Sequence, residues 1–260
     1  MTLIIGIKCK DGIVMGSDGV ATLGTMGQST IVQPVRKLET ISNTIILGVP
    51  GPIGIGQIFK GVIKKLWEED KFHGKKESYE AMEFLSKSLW EHLKPEFQKA
   101  SIAKNVIGNI ALISTICSVL IAIPISKKPS LFQFNQQCSP EEATDNLPFV
   151  SIGSGQKIAD PFLAFLRRIF WPNELPSLED GILTALWTLE HAIRTHPGGV
   201  SDPKQIVTIK KENNKYKTYE FQEKELEEHL EEIYDIEKYL SEYPSKLKRD
   251  IDIEGKIPTP

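Results

Sequence analysis

A threonine directly behind the first methionine is the residue in this sequence most able to do chemistry by itself. Thr2 has the small side chain that methionine removal requires, so a mature chain beginning at Thr2 is expected. A terminal threonine carries a hydroxyl nucleophile and a free α-amine on one carbon skeleton. That amine, with an ordinary pKa of about 7.7–8.0, takes the hydroxyl proton directly or through water, and no histidine is needed. Other reactive residue types offer less. His73, His92, His191, His196 and His229 show no metal-ligand spacing and read as surface or packing residues. Cys9, Cys117 and Cys138 are too scattered for a disulfide framework, form no CxxC pair and read as inert packing thiols. Gly51, Gly54 and Gly56 are spaced like a GxxGxG motif but read as close packing where a strand meets a helix. No phosphate loop or dinucleotide fingerprint is present, so neither a cofactor nor a metal is expected.

A nucleophile at a chain start has to be held by a sheet, and the sequence supplies one. Ile5, Ile7 and Cys9 alternate with Gly6 and Lys8, Asp11-Gly12 offers a φ-positive pair for a tight hairpin, and Ile13, Val14 and Met15 return. A further strand runs from Thr44 to Val49. The period then becomes helical. Ile55, Ile58, Phe59, Val62, Ile63 and Leu66 make one stripe, and Tyr79, Met82, Leu85, Leu89, Leu93 and Phe97 a second. The uncharged run from Val106 to Ile125 has the hydropathy of a membrane span. It is rich in β-branched residues, holds Asn109, Ser114, Thr115 and Ser118, and reads as two strands buried on both faces. Strands at 130–135 and 149–152, helices at about 156–170 and 178–194, and strands at 205–210 and 216–221 follow. This order lacks βα alternation, which excludes a doubly wound parallel sheet and fits helices outside stacked antiparallel sheets.

Composition bounds the rest. The 260 residues hold 31 Lys and Arg against 34 Asp and Glu, a net charge of -3 and a pI near 6.0, so neither nucleic acid nor an anionic membrane is an expected partner. Three scattered cysteines suit a reducing, cytoplasmic setting. From 223 onward there are 12 acids and 6 bases, net -6, which leaves the body at +3. Leu226, Leu230, Ile233, Ile236 and Leu240 keep a helical stripe through that tail, and Pro244 is expected to end it. The domains are therefore read as 1–222 and an acidic helical extension, 223–260.

The stretch TLIIGIKCKDGIVMGSDGVATLG, Thr2 to Gly24, resembles the opening of proteasome β subunits and HslV-like peptidases, which are N-terminal-nucleophile hydrolases. The resemblance continues through VRKLETI (Val35 to Ile41), TIILGVPG (Thr44 to Gly51) and SIGSG (Ser151 to Gly155), in the family's order. It implies an α+β fold, the four-layer αββα sandwich, with an added C-terminal helix. It also implies a threonine peptidase acting on peptides or unfolded protein, in a homo-oligomeric ring served by an ATP-dependent unfoldase. Thr2 would be the nucleophile. Lys37 would lower the pKa of its amine, Asp18 would orient Lys37, and Gly48 N–H would receive the oxyanion. Ser154 would complete the hydrogen bonding around the amine. Ala21, Thr22, Val35, Glu39 and Ile46 would line the specificity pocket, where one glutamate among apolar walls points to basic side chains.

The sequence departs from the family pattern in three places. The segment between Gly24 and Lys37 is longer. Pro50 stands where a backbone N–H would pair with extended substrate, and proline has none to give. In HPGGVSDP, His196, Pro197 and Val200 occupy the neighbourhood of the family's later site residues, and Asp202 reaches the site only if that loop shifts. Two rival readings remain: a small-molecule amidase of the same superfamily, and a ring or scaffold subunit without catalysis. Thr2, Asp18 and Lys37 together speak against the second.

Overall fold

The computed structural model describes residues 2–254 except 26–27, 73, 76, 114, 127 and 196–198, and the side chains of 22–30 and 245–254 are likewise left undescribed. His73, Ser114, His196 and Pro197 thus lie outside the described residues. Two five-stranded antiparallel sheets form the centre. One has the order β10 (Phe149–Gly153), β1 (Leu3–Lys8), β2 (Gly12–Ser17), β11 (Gln205–Glu212) and β12 (Lys215–Glu220). The other has the order β5 (Leu38–Ile41), β6 (Ile45–Gly48), β7 (Val119–Ile125), β8 (Lys128–Phe134) and β9 (Pro140–Glu142). A separate hairpin, β3 (Val20–Thr25) with β4 (Gln28–Pro34), fills the longer segment before Lys37.

Strand alternation sorts the side chains into layers. Ile4, Ile13, Met15, Leu38, Ile46, Leu120 and Leu131 meet between the sheets. On the outer face of the second sheet, Ile45, Leu47 and Ile121 pack against Phe59 and Ile63 of α1 (Ile53–Glu68) and Leu85, Leu89 and Leu93 of α2 (Ser78–Ile107). Each such fully buried side chain contributes roughly 1.5–3 kcal/mol of transfer free energy. Across the molecule, α4 (Gln156–Phe170) and α5 (Leu178–Thr195) cover the outer face of the first sheet. The result is the expected αββα sandwich.

Three local expectations are corrected. Val106 to Ile125 does not hold two strands: α2 continues to Ile107, Gly108 ends it at φ 71°, a short helix α3 (Ile110–Ile113) follows, and only β7 is a strand. Val106 is 86% exposed and Ile113 63% exposed, so the β-branched content reflects surface helix rather than buried sheet. The hairpin between β1 and β2 closes at Cys9 and Gly12, whose carbonyl accepts the Cys9 N–H, and neither Asp11 nor Gly12 has positive φ. Lys10 and Asp11 are the central residues, and Gly12 is needed instead because an added Cβ would lie 2.2 Å from Ile209 O. Pro244 sits inside α6 (Glu223–Glu254) rather than at its end. A proline there forfeits one backbone donor without stopping the helix, as Pro95 and Pro161 do in α2 and α4. The chain divides into two compact units, Met1–Phe221 and Gln222–Pro260. Among the described residues, no helix is long and apolar enough to cross a membrane.

Candidate active site

Thr2 stands at the entry to β1, where three elements fix its backbone. Gly153, at the end of β10, pairs with Leu3, and a Cβ there would come within 2.2 Å of Thr2 O, so only glycine allows the approach. Its φ of 102° makes the same demand. Gly155 N–H donates to Thr2 O over 3.2 Å, and Thr2 N donates to Ser154 Oγ over 3.1 Å. From below, the fully buried Asp18 accepts the Leu3 N–H at 2.8 Å and donates its own N–H to Leu3 O.

Asp18 also holds the lysine. Both carboxylate oxygens accept from Lys37 Nζ, at 2.8 and 2.7 Å, and the Lys37 side chain is only 7% exposed. Burial lowers the Lys37 pKa, and the adjacent Asp18 opposes that shift. Sequence reasoning missed the residue that fixes the lysine's backbone. Gln205, at the start of β11, accepts the N–H groups of Lys37 and Leu38 on Oε1 and donates from Nε2 to Leu38 O and to Glu220. A lone glutamine more than 160 positions away carries no local signal.

Two recesses meet at Thr2. One, of about 440 Å³, runs past Ala21, Pro50, Gly51, Cys117, Ser154 and Gln156. The other, of about 280 Å³, takes in Ala21, Val35, Lys37, Glu39, Leu47 and Val49. Ser154, Ala21, Val35, Glu39, Pro50 and Lys37 are therefore gathered around Thr2. Thr22 lies on β3, but its side chain is not among those described.

Gly48 and Ile46 are not brought to the cleft. Gly48 pairs with Leu38 and Leu120 inside the sheet, and a Cβ on it would meet Ile4 and Leu38, between the sheets. Ile46 shares that inner face and is fully buried. Even-numbered positions of β6 face the other sheet while Leu47 and Val49 face the recess, so a shift of one residue exchanges the two sets. Gly51 lines both recesses at φ 132°, and among the described residues its N–H has no hydrogen-bond acceptor. The close packing expected of the glycine triplet holds at Gly51, where a Cβ would come within 2.8 Å of Ile116 O, but not at Gly54, where it would meet nothing within 4 Å.

Asp202 stays outside. Its carboxylate is 60% exposed and accepts from Lys204 Nζ at 2.6 Å. Glu39 is not a bare charge either, because Lys60 Nζ lies 2.7 Å from its Oε2. Cys117 borders the cleft, but burial, with a smaller contribution from Cys138, raises its thiol to about 12 and keeps it protonated. His191 stacks on Phe162 at 4.2 Å, a packing role.

The family model described as proteasome subunit matches residues 2–201. Two solved structures share the fold. Anbu (ancestral beta-subunit) from Yersinia bercovieri is 15% identical, with 99% of each chain covered and a TM-score of 0.58. The Anbu (Gly-1) mutant from Hyphomicrobium sp. strain MC1 is 16% identical, covers 95% of this chain and 97% of that one, and has a TM-score of 0.66. No curated protein matches in sequence.

Proposed function

The chain belongs to the proteasome subunit family, and from that premise we propose that it is an N-terminal threonine hydrolase cleaving peptide bonds. The observation that carries this reading is the buried Asp18, which ties the Leu3 N–H beside Thr2 to the ammonium of Lys37 through one carboxylate. Once Thr2 is freed at its amine, the ammonium beside it favours the unprotonated amine, which then serves as general base. Thr2 Oγ attacks the substrate carbonyl carbon and its proton passes to the amine. The tetrahedral oxyanion lies against the Gly51 N–H, which takes the part first assigned to Gly48. Collapse breaks the C–N bond, the departing nitrogen takes the proton, and an ester to Thr2 remains. Water, deprotonated by the same amine, attacks that ester and releases the acid. Pro50 gives extended substrate no N–H on its side of the cleft, so less of the grip comes from backbone pairing. Assembly into a homo-oligomeric ring, a cytoplasmic setting, unfolded protein as substrate and an ATP-dependent unfoldase as partner belong to this same proposal. Thr2→Ala should abolish peptide cleavage and leave the circular dichroism spectrum unchanged. Undiminished turnover by that variant rules the mechanism out.

A further inference from the structure

The smaller recess beside Thr2 has walls of two kinds. Ala21, Val35, Leu47 and Val49 make an aliphatic wall, and Glu39 of β5 and Lys60 of α1 form an ion pair at 2.7 Å on the remaining side. Register puts the pair there: Glu39 is opposite Leu47, so both project to the face that α1 covers. Lys60 is 41% exposed and Glu39 47%, and a bridge so accessible to water adds little to stability. Its consequence is for the guest. Glu39 alone would favour a lysine or arginine side chain, and Lys60 cancels that attraction at short range. Arg36 and Lys37, which also border the recess, are each paired with a carboxylate, Glu220 and Asp18.

Resting on the threonine reading, we infer that Lys60 sets the specificity of this recess: by neutralising Glu39 it makes the recess take an uncharged aliphatic side chain from the residue before the scissile bond and discriminate against basic ones. A basic side chain entering the recess loses hydration. It then either sits beside the like charge of Lys60 or displaces it, exchanging one ion pair for another without gain. Removing Lys60 therefore reverses the selection, and removing Glu39 instead turns the recess towards acidic guests.

The test is a set of matched peptides differing only in Leu, Arg or Glu before the scissile bond, offered to the full processed protein and to Lys60→Met, Glu39→Gln and the double variant. Wild type should favour Leu. Lys60→Met should raise Arg relative to Leu in kcat/KM on the order of tenfold, the effect of removing one like charge beside a partly desolvated guest. Glu39→Gln should raise Glu relative to Leu by a similar factor, and the double variant should restore the wild-type order. If wild type cleaves none of the peptides, the threonine reading fails. The inference is then judged by calorimetric binding of the same peptides to the four proteins carrying Thr2→Ala. Ratios that stay the same in all four proteins, or no binding to any of them, overturn it.

Discussion

Among single residues, the proposed reaction depends on a buried ion pair rather than on the nucleophile's own surroundings. Asp18 is fully buried and Lys37 nearly so, and taking away one partner leaves a buried charge uncompensated, a cost of about 3–5 kcal/mol. Lys37→Ala should lower kcat/KM by orders of magnitude, and Lys37→Arg should do nearly as badly, because a planar guanidinium does not replace a compact ammonium between Asp18 and the amine. Peptide turnover near the wild-type rate in both variants would remove Lys37 from the mechanism. The pH dependence has a definite sign. The unfolded chain holds the Lys37 proton up to its ordinary 10.5, whereas burial makes the folded chain release it earlier. Between those two values the unfolded state binds more protons, so this group's contribution to stability rises with pH. In the proposed mechanism activity needs the ammonium, so it should fall over the same interval. An alkaline limb below pH 10.5 in the rate profile is expected, while the stability of wild type relative to Lys37→Met rises there. A rate flat up to that pH contradicts the role.

Among the elements, β6 and the turn after it decide which glycine N–H faces the cleft and so would serve the proposed reaction. Gly48→Ala places a methyl 3.0 Å from Ile4 and 3.1 Å from Leu38, an overpacking that should cost about 1–3 kcal/mol while the folded protein keeps its rate. Gly51→Ala sets a Cβ 2.8 Å from Ile116 O at a φ that L side chains resist, so it should lower stability and, beyond that, the rate of the molecules that remain folded. Thermal melts beside peptide kinetics separate the two; loss of rate in Gly48→Ala at unchanged stability would return the oxyanion to that residue. The same strand marks the limit of what the sequence makes legible. Motif matching reached the segment that borders the cleft, the stripes read for α1 and α2 lie on those helices, and α4 and α5 appear close to the ranges expected for them. Strand parity next to a turn depends on a single residue, and the matched letters did not fix it. The run from Val106 misled for a related reason: its β-branched residues suit a strand by propensity, but Gly108 and the surface position of α2's end override propensity there. Gln205 and Lys60 were invisible because their partners, Lys37 and Glu39, lie on other elements brought near only by folding.

For the whole molecule, the open question is what the second unit does. The proteasome subunit match ends at 201 and the first unit at Phe221, whereas α6 extends from Glu223 to Glu254 with Tyr234, Tyr239, Leu240 and Tyr243 exposed. An acidic helix presenting that much aromatic surface is unlike a solvated tail, and isolated helices hold together poorly in water. We propose that it serves assembly with another subunit. A chain truncated after Gln222 should keep its fold but run as a smaller particle in size-exclusion chromatography with light scattering. A particle of unchanged size refutes the assembly role.

Thr2, at a freed N-terminus, is the proposed nucleophile, and the mass of the purified protein before and after exposure to a threonine-directed electrophile decides whether it is. A chain starting at Thr2 is expected, gaining one equivalent of the reagent at that residue, with no addition to Thr2→Ala and little to Lys37→Ala. A protein that cleaves peptides with residues still attached ahead of Thr2, or that takes up the reagent equally in the Thr2→Ala variant, contradicts it.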